Sequence, residues 1–324
     1  MFILFKKIVL FYLFYCNSLL AKEVCIFVNP KGNDIYQGNT VAEAVRTIQR
    51  AINIAKITPM NVSKVEISLS SGIYETQKFE AKGNLHGLPI LITTEKNGHA
   101  VFDGMVKGGT WMTLKPRGGN PSNISIKGVE VKNYETAIDI KGDRNNHKIW
   151  AGSLVVRDSN FSNIGDISRA NAKPSTAAIR LVNSDNTIIV NNIFKNIKNN
   201  TNCGLLHAIY IAHDSTNNFI AENSFNDSCG DAIRFRDQSN DNVVRNNKFT
   251  DSWSRSPVSD WFCNPTQHDN CTKKSGECPS YNNLVELNKV IALNPLPVKV
   301  FIPYGGKPPL NCPPAPSASR GVVR

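Results

Sequence analysis

The segments "AIYIAHDSTNNFIAENSF" (208–225) and "AIRFRDQSNDNVVRNNKF" (232–249) have equal length and share one apolar skeleton. Each begins with an Ala-Ile pair, continues through a second apolar pair and ends on an asparagine-containing turn followed by phenylalanine. Apolar and polar residues alternate with period two in both segments, which is typical of strands and not of helices. The two segments therefore predict successive coils of a repeating structure built from strands.

Two earlier segments, "AIDI" (137–140) and "AIRL" (178–181), repeat the start of this skeleton, with insertions between the repeats. The turns "NNIF", "ENSF" and "NNKF" place Asn192, Asn223 and Asn247 two residues before phenylalanine, and "DSNF" is a looser fourth copy. Asparagine accepts left-handed backbone and forms hydrogen bonds along a stack of identical turns. A β-sandwich would show hairpin turns at each reversal, and the repeating segments lack them. The sequence thus predicts an all-β, single-stranded parallel β-helix, a solenoid whose coils stack about 4.8 Å apart.

The segment "TVAEAVRTIQRAINIAK" (40–56) predicts a helix that caps the open end of the coils, where exposed strand edges are a hazard. Thr40 and Glu43 form the pattern of a capping box. The residues with helical spacing are Val41, Ala44, Val45, Ile48, Ala51, Ile52 and Ala55. The expected organisation is a signal peptide (1–21), an opening strand with the capping helix (22–58), the β-helix (59–253), a cysteine-containing loop (254–283), and a last coil with a proline-rich tail (284–324).

Residues 1–21 resemble a secretory signal, because Lys6 and Lys7 precede the apolar run "IVLFYLFY" and Ala21 offers a small residue for cleavage. The run is short for a membrane span, so we expect a secreted protein, extracellular or periplasmic, without stable membrane insertion. Loss of the two leader lysines lowers the formal net charge from +11 to about +9. This charge favours an acidic partner, and the lack of an aromatic-rich basic segment argues against nucleic acid. We expect a monomer.

Of the eight cysteines, one lies in the leader, and export makes disulfides the expected state of the others. The other seven are Cys25, Cys203, Cys229, Cys263, Cys271, Cys278 and Cys312. Cys203 and Cys229 each precede the first strand of a coil, so stacking is expected to pair them. Cys312 is expected to tie the tail to the loop, and the odd number leaves one thiol without a partner in the chain. None has the paired spacing of a zinc site, so no metal cluster is predicted.

The four Ala-Ile starts identify the side chains that face outward from one sheet. The first isoleucine is buried, so the next position points out, and the alternation continues from there. Equivalent positions of successive coils form columns. The position after this isoleucine contains Asp139, Arg180, Tyr210 and Arg234, and the position two residues further on contains Lys141 and Arg236. His213 and Asp237 follow at the strand end, and His207 and Asp231 directly precede the Ala-Ile pair. Strict alternation would point both histidines inward, but both lie at strand ends, where turns reset the direction. Arginine, tyrosine and histidine on one face indicate function, and the structural alternative is simple cross-strand pairing.

The coils, together with the opening "FVNPKGNDIYQGNT" (27–40) and "AVRTIQRAI" (44–52), resemble the right-handed parallel β-helix proteins of the pectate lyase-like superfamily over roughly residues 25–295. Members include polysaccharide lyases, uronate C5-epimerases, glycoside hydrolases and tailspike-type adhesins. The resemblance implies a right-handed helix and, in many members, a substrate along the first parallel sheet. "YIAHDS" is similar to the "DPHD"-type segment of mannuronan C5-epimerases only in His213 and Asp214, so epimerase activity is not carried over.

The resemblance implies an acidic, uronate-containing polysaccharide as the partner, with abstraction of its C5 proton followed by β-elimination. Neutralising the uronate carboxylate makes that proton acidic, after which a base removes it and an acid protonates the leaving oxygen. The predicted catalytic residues are His207, Tyr210, His213 and Arg234. Tyr210 is the expected acid, either histidine is the expected base, and arginines neutralise the carboxylate. The predicted substrate-binding residues are Asp139, Lys141, Arg180, Asp231, Arg236 and Asp237.

No cofactor and no metal ligand is predicted. Calcium-dependent pectate lyases use an acidic cluster on this sheet, whereas the aspartates here are scattered among arginines, so Ca²⁺ is the less favoured alternative. Two other classes of function remain open. A glycoside hydrolase needs two carboxylates at a suitable separation, for which Asp231 and Asp237 are the candidates. A non-catalytic, glycan-binding or adhesive β-helix would use the same arginine and tyrosine column to bind a polysaccharide without cutting it.

Overall fold

The computed structural model describes residues 22–59, 61–82, 87–105, 107–115, 121–168, 170–250, 256–265, 267, 269, 271, 276–291, 299–303, 307–314 and 322–323. The expected signal peptide, 1–21, lies outside these residues. The described chain is all-β, with long parallel sheets and one short α-helix near its beginning. It passes through three sheets in a fixed order, coil after coil. Crossovers between parallel strands are right-handed. The architecture is therefore a right-handed parallel β-helix: the repeats predict the stacked coils, and the resemblance implies the hand.

Within the described residues, sheet I consists of β1 (Lys22–Val28), β2 (Val62–Leu69), β5 (Ile90–Thr94), β8 (Ile124–Lys127), β12 (Leu154–Arg157), β16 (Ile188–Val190), β19 (Phe219–Ala221), β22 (Val243–Arg245), β25 (Leu284–Glu286) and β28 (Val322–Val323). Sheet II consists of β3 (Gly72–Glu75), β6 (Ala100–Asp103), β9 (Val129–Lys132), β13 (Asn160–Ile164), β17 (Ile193–Ile197), β20 (Ser224–Ser228), β23 (Lys248–Thr250) and β26 (Lys289–Ile291). Sheet III consists of β4 (Phe79–Lys82), β7 (Thr110–Lys115), β10 (Thr136–Lys141), β14 (Ala177–Val182), β18 (His207–Ala212), β21 (Ile233–Arg236), β24 (Val258–Trp261) and β27 (Phe301–Ile302). A two-stranded ladder joins β11 (Ala151–Gly152) to β15 (Ser184–Asp185), and short 3₁₀ turns cover Asp166–Ser168 and Cys203–Leu205.

Apolar side chains fill the tube in columns, with one residue from each coil. The repeated phenylalanines of sheet II are fully buried, and their strands pair in register at these positions. Ring centroids lie 5.2 Å apart for Phe161 and Phe194, 5.0 Å for Phe194 and Phe225, and 4.9 Å for Phe225 and Phe249. These distances follow from the coil spacing of about 4.8 Å. The phenylalanine that recurs in the sequence is therefore a stacking residue of the core.

The asparagines that precede these phenylalanines form a buried ladder, as the sequence predicts. The side-chain amide of Asn192 donates to Asn223 Oδ1 at 3.0 Å, and the amide of Asn223 donates to Asn247 Oδ1 at 3.1 Å. A second ladder, which was not predicted, joins Asn218 to Asn242 at 2.9 Å. Left-handed backbone occurs one residue before the ladder positions, at Asn191, Glu222, Asn246, Asn217 and Asp241. The ladder asparagines therefore stabilise the turns through side-chain hydrogen bonds, and the residue before each of them adopts the left-handed backbone.

The capping helix α1 spans Ile48–Lys56, and its N-cap is Thr47, whose Oγ1 accepts a hydrogen bond from the Arg50 N–H at 3.2 Å. The predicted start at Thr40 is wrong. Residues 40–46 are held against β1, because the Val45 N–H donates to the Phe27 carbonyl at 3.0 Å. That pairing uses backbone groups which a longer helix would need for its own hydrogen bonds. The apolar face of the helix is buried through Ile48, Ala51, Ile52 and Ala55.

Three disulfides link Cys203 to Cys229, Cys263 to Cys271 and Cys278 to Cys312. The two predicted links, between neighbouring coils and between loop and tail, are confirmed, and of the seven cysteines in the described residues Cys25 is the one without a disulfide. The segment 254–283, which was expected to be an irregular loop, contributes β24 to sheet III. Among the described residues, no helix is long and apolar enough to cross a membrane.

Candidate active site

Sheet III brings the predicted outward positions into two parallel rows. The first row consists of Asp139, Arg180, Tyr210 and Arg234, which pair along β10, β14, β18 and β21. The second row consists of Lys141, Val182, Ala212 and Arg236 on the same strands. Neighbours in each row belong to adjacent strands, about 4.8 Å apart. The register therefore assembles side chains that are distant in the sequence into one surface.

His207, at the start of β18, faces the outer side of the sheet. Ala208 and Ile209 both belong to the core, so the alternation of the strand is interrupted directly after the histidine. The His207 ring stacks on Tyr210, with centroids 5.6 Å apart and planes within 9°. Its Nδ1 donates to the Asp231 carbonyl at 2.7 Å, and the residue is 1% exposed. A histidine in this position supports the tyrosine ring and does not line the surface that a polymer could reach.

Tyr210 presents its hydroxyl to Arg236. The Arg236 Nη1 donates to Tyr210 Oη at 2.8 Å, so the tyrosine proton is available to another acceptor. Burial raises the pKa of Tyr210 above its ordinary value, and the neighbouring Arg236 offsets this only in part. The phenol is therefore protonated at neutral pH and can act as a proton donor.

The turn after β18 sets the position of His213. The backbone is left-handed at His213 (φ 52°) and at Asp214 (φ 60°). His213 Nδ1 lies 2.8 Å from Asp237 Oδ2; since a carboxylate accepts hydrogen bonds, Nδ1 carries the proton and Nε2 is the atom that can take up another. The Cys278 N–H donates to Asp237 Oδ1 at 3.2 Å. An imidazole oriented by a fixed carboxylate is a common form of general base.

Glu277 is a site residue that the sequence did not predict. It belongs to the cysteine-containing segment and is 3% exposed. Its carboxylate accepts from Arg236 Nε at 2.6 Å and Nη2 at 2.8 Å, from Arg144 Nη2 at 3.1 Å and from the Cys263 N–H at 2.9 Å. Burial acts to lower the pKa of Arg236, but the hydrogen bond with Glu277 raises it overall. One buried carboxylate therefore fixes two arginines, and Arg236 also lies 4.5 Å over the Trp261 ring.

Asp139 holds two further cations. Arg180 Nε and Nη2 each donate to this carboxylate at 2.8 Å, and Lys141 Nζ lies 3.1 Å from Asp139 Oδ2. The hydrogen bonds with Asp139 raise the pKa of Arg180. Asp139 itself is 3% exposed. Of these three predicted binding residues, Arg180 and Lys141 reach the surface and Asp139 positions them.

Asp231 and Arg234 belong to one hydrogen-bonded network on the same sheet. Arg234 Nη2 donates to the fully buried Asp231 carboxylate, and Arg234 Nε donates to Ser259 Oγ at 3.1 Å. Ser259 Oγ in turn donates to Asp231 at 2.7 Å. Arg236, and not Arg234, contacts the Tyr210 hydroxyl. The network joins β21 to β24, and the contact with the tyrosine hydroxyl is made by Arg236.

A groove of about 400 Å³ lies over these rows. Its lining consists of Lys141, Gly142, Arg144, Thr176, Arg180, Val182, Tyr210, His213 and Arg236. Four of these side chains are cations, while the carboxylates that hold them, Asp139 and Glu277, are buried. A cleft lined by one sign of charge attracts a ligand of the opposite sign. The groove therefore combines a candidate acid and a candidate base with a surface suited to a polyanion.

His213, Asp237 and Glu277 each place one potential metal ligand within 4.8 Å of the others. Calcium prefers six to eight oxygen ligands, and here one ligand is a nitrogen. The Glu277 oxygens are occupied by two arginines, and those of Asp237 by His213 and a backbone N–H. This donor set fits Ca²⁺ poorly.

No family model and no curated protein sequence matches this chain. Solved structures share its fold. An alginate lyase from Paenibacillus sp. str. FPU-7 has a TM-score of 0.53 at 15% identity, over 80% of this chain and 95% of the lyase. A tailspike protein of E. coli bacteriophage HK620, in complex with a pentasaccharide, has a TM-score of 0.50 at 13% identity, over 81% of this chain and 45% of the tailspike. A pectate lyase has a TM-score of 0.49 at 13% identity, over 93% of this chain and 83% of the lyase.

At these identities the likeness establishes the fold and nothing finer. The strand order, the parallel register and the two matches at a TM-score of 0.50 or more agree with one another. The chain is a right-handed parallel β-helix with a polysaccharide-lyase-like fold.

Proposed function

We propose that this protein is a secreted lyase that cleaves a uronate-containing polysaccharide on sheet III by β-elimination. The observation that carries the proposal is the placement of Tyr210 and of His213, oriented by Asp237, in one groove lined by four cations. Elimination needs a base for the C5 proton, an acid for the leaving oxygen and positive charge for the carboxylate. All three groups belong to this groove.

In the proposed reaction, Arg236, Arg180 and Lys141 bind the uronate carboxylate and stabilise the negative charge that develops beside it. His213 Nε2 takes the C5 proton. The electrons of that C–H bond form the C4–C5 double bond as the C4–O bond breaks. Tyr210, whose oxygen already accepts from Arg236, donates its proton to the leaving oxygen. One new chain end is an unsaturated uronide and the other is the released alcohol.

The hydrolase alternative has weaker support. Its candidate pair includes Asp231, which is fully buried against Arg234 and Ser259. Asp237 is committed to His213. Glycoside hydrolysis needs two carboxylates that flank the scissile bond, and this arrangement does not offer them to a sugar.

The alginate lyase with the same fold supports the lyase class, since alginate is a polymer of uronates. The tailspike that is bound to a pentasaccharide supports the non-catalytic alternative, in which the same face only holds a glycan. Three disulfides agree with export to an oxidising compartment. We therefore favour an exported enzyme. Formation of unsaturated uronide products would distinguish it from a glycan-binding protein without catalytic activity.

One screen tests the proposal. The purified protein is incubated with alginate, polygalacturonate, hyaluronan and a neutral glucan, and both unsaturated uronide absorbance and new reducing ends are measured. A lyase yields both signals with a uronate polymer and neither with the glucan. New reducing ends without unsaturation would identify a hydrolase. Binding of a uronate polymer without any product would identify a glycan-binding protein, and either result would overturn the proposal.

A further inference from the structure

Sheet III continues from the groove toward the first coils, where the second row carries a lysine on each of three consecutive strands. Lys82 of β4 pairs with Lys115 of β7. Leu114 pairs with Ile140, so the residues that follow them, Lys115 and Lys141, also lie opposite each other. We call Lys82, Lys115 and Lys141 the lysine row. Lys141 belongs both to this row and to the lining of the groove.

Like charges that lie directly opposite each other on neighbouring strands destabilise a sheet. The lysine row has only partial compensation, because Glu80 is shared by Lys115 Nζ at 2.5 Å and Lys82 Nζ at 3.9 Å. Asp139, the partner of Lys141, also accepts two hydrogen bonds from Arg180. The lysine side chains are 66%, 41% and 48% exposed in row order, so the ammonium groups face solvent. A stacked row with this excess of positive charge is suited to an extended polyanion.

The spacing of the row indicates which polyanion. Consecutive strands lie about 4.8 Å apart, which is comparable with the length of one pyranose residue in an extended chain. A polymer with a carboxylate on every residue therefore carries about one carboxylate per strand spacing along the row. A glycosaminoglycan with a uronate on alternate residues would leave cations of the row without a partner.

We infer that the lysine row binds a homopolyuronate that extends along the helix axis from the groove toward the first coils, with one sugar residue per lysine. The inference rests on the proposed function for the location of cleavage, and the binding itself needs no cleavage. It assigns a specificity to the site: homopolymers of uronates in preference to alternating copolymers, and long substrates in preference to short ones.

The test is the double variant Lys82→Gln/Lys115→Gln in the full-length protein. Sheet II supplies a matched control, Lys248→Gln/Lys289→Gln, because these two exposed lysines also pair in register on neighbouring strands. Both variants remove two positive charges. Binding and cleavage are measured with alginate oligomers of increasing length, polymeric alginate, polygalacturonate and hyaluronan.

We expect the Lys82/Lys115 variant to weaken binding of long uronate homopolymers about threefold to tenfold, as the loss of two exposed ion pairs predicts. The effect should shrink as the oligomer shortens, and the Lys248/Lys289 control should bind like the wild type. Equal losses in both variants, or a loss that does not depend on oligomer length, would overturn the inference. A preference for hyaluronan over the homopolymers would do the same.

The two proposals fail in different ways. If unsaturated products form and the Lys82/Lys115 variant matches the wild type at every length, the lyase stands and the lysine row does not. If no product forms but polymer binding depends on Lys82 and Lys115, the lysine row stands and the lyase is rejected.

Discussion

Some side chains of the site line the groove, and others are buried behind it and hold the lining side chains in position. Tyr210, His213 and Arg236 line the groove, whereas Glu277 is buried and accepts hydrogen bonds from the cations. Asp139 does the same for Arg180 through two hydrogen bonds. Charges fixed in this way need little reorganisation when a negative charge develops on a substrate. The buried acids are therefore positioning residues, and the groups that line the groove are the candidates for chemistry.

Tyr210→Phe and His213→Gln should each lower the rate of unsaturated-product formation about 100-fold or more, the usual contribution of a general acid or base. Tyr36→Phe and His99→Gln are matched controls, because Tyr36 is 39% exposed and the His99 side chain is 69% exposed, outside the groove. Initial rates on a uronate polymer, with circular dichroism as the check on folding, measure the effect. Wild-type rates in either groove variant would remove that residue from the mechanism.

Among the structural elements, the asparagine turns hold the coils at a fixed spacing. Asn223 donates to the Ile189 carbonyl at 2.9 Å and to Asn247 at 3.1 Å, and it accepts from the side chain of Asn192 at 3.0 Å. Each group left without a partner in the core costs about 1–3 kcal/mol. The ladder therefore makes each turn depend on the next.

Asn223→Ala should lower the free energy of unfolding by on the order of 3 kcal/mol, because it leaves several buried partners without a hydrogen bond. Asn226→Ala in β20, the strand that follows this turn, is the control: the Asn226 side chain is half-buried and bonds to Ser224 Oγ at 3.3 Å. A change within about 0.5 kcal/mol is expected there. Urea denaturation measures both, and equal effects would show that the ladder adds no stability of its own.

The cysteine-containing segment supplies the site with a buried carboxylate, that of Glu277. Glu277→Ala should destabilise the fold by about 2–4 kcal/mol, because Arg236 and Arg144 lose a buried partner, with some relief from solvent. It should also abolish product formation, since Arg236 no longer has a fixed position. Glu286→Ala is the control, because Glu286 pairs with Arg245 at 3.8 Å near the surface. Its expected cost is below about 1 kcal/mol.

Thermal and urea unfolding of the Glu277 and Glu286 variants, together with their rates, separate these effects. Retained activity with lost stability would show that Glu277 supports the fold without positioning Arg236. Unchanged stability would contradict the buried ion pair itself.

The molecule as a whole should lose stability in alkali. Burial raises the pKa of Tyr74, Tyr134 and Tyr210. Above a pH of about 10 the unfolded chain releases tyrosine protons that the folded state keeps, so stability is fully present below this pH and falls above it. Each such tyrosine contributes a slope of about −1.4 kcal/mol per pH unit. The Tyr134 hydroxyl donates to the Gln77 carbonyl at 2.6 Å, so Tyr134→Phe also lowers the starting stability.

Urea denaturation at several pH values above 10 tests this through the slope, which is independent of the starting stability. Tyr134→Phe should have a shallower slope than the wild type. Equal slopes would show that Tyr134 titrates in the folded protein as it does in the unfolded chain.

Much of the fold follows from local patterns that each coil repeats. The period-two alternation, the Ala-Ile starts and the asparagine turns predict the coils, the core columns and the strands of sheet III. The stacking of coils then predicts the pairing of Cys203 with Cys229. The helix start was wrong, because Val45 pairs with β1 through backbone hydrogen bonds that no side-chain pattern reveals. The direction of His207 could not be predicted either, since it depends on an interruption of alternation at the strand end.

The sequence by itself determined the parallel β-helix and the set of polar side chains on one face, because buried and exposed positions alternate locally in every coil. Only the tertiary structure decided which of those side chains meet. Glu277 reaches Arg236 from 41 residues away and fixes it beside Tyr210, while Asp231 holds Arg234. The physical reason is that a charge in the chain takes the partner that burial and register bring within hydrogen-bond distance. Periodicity specifies a face, and long-range contacts specify the site.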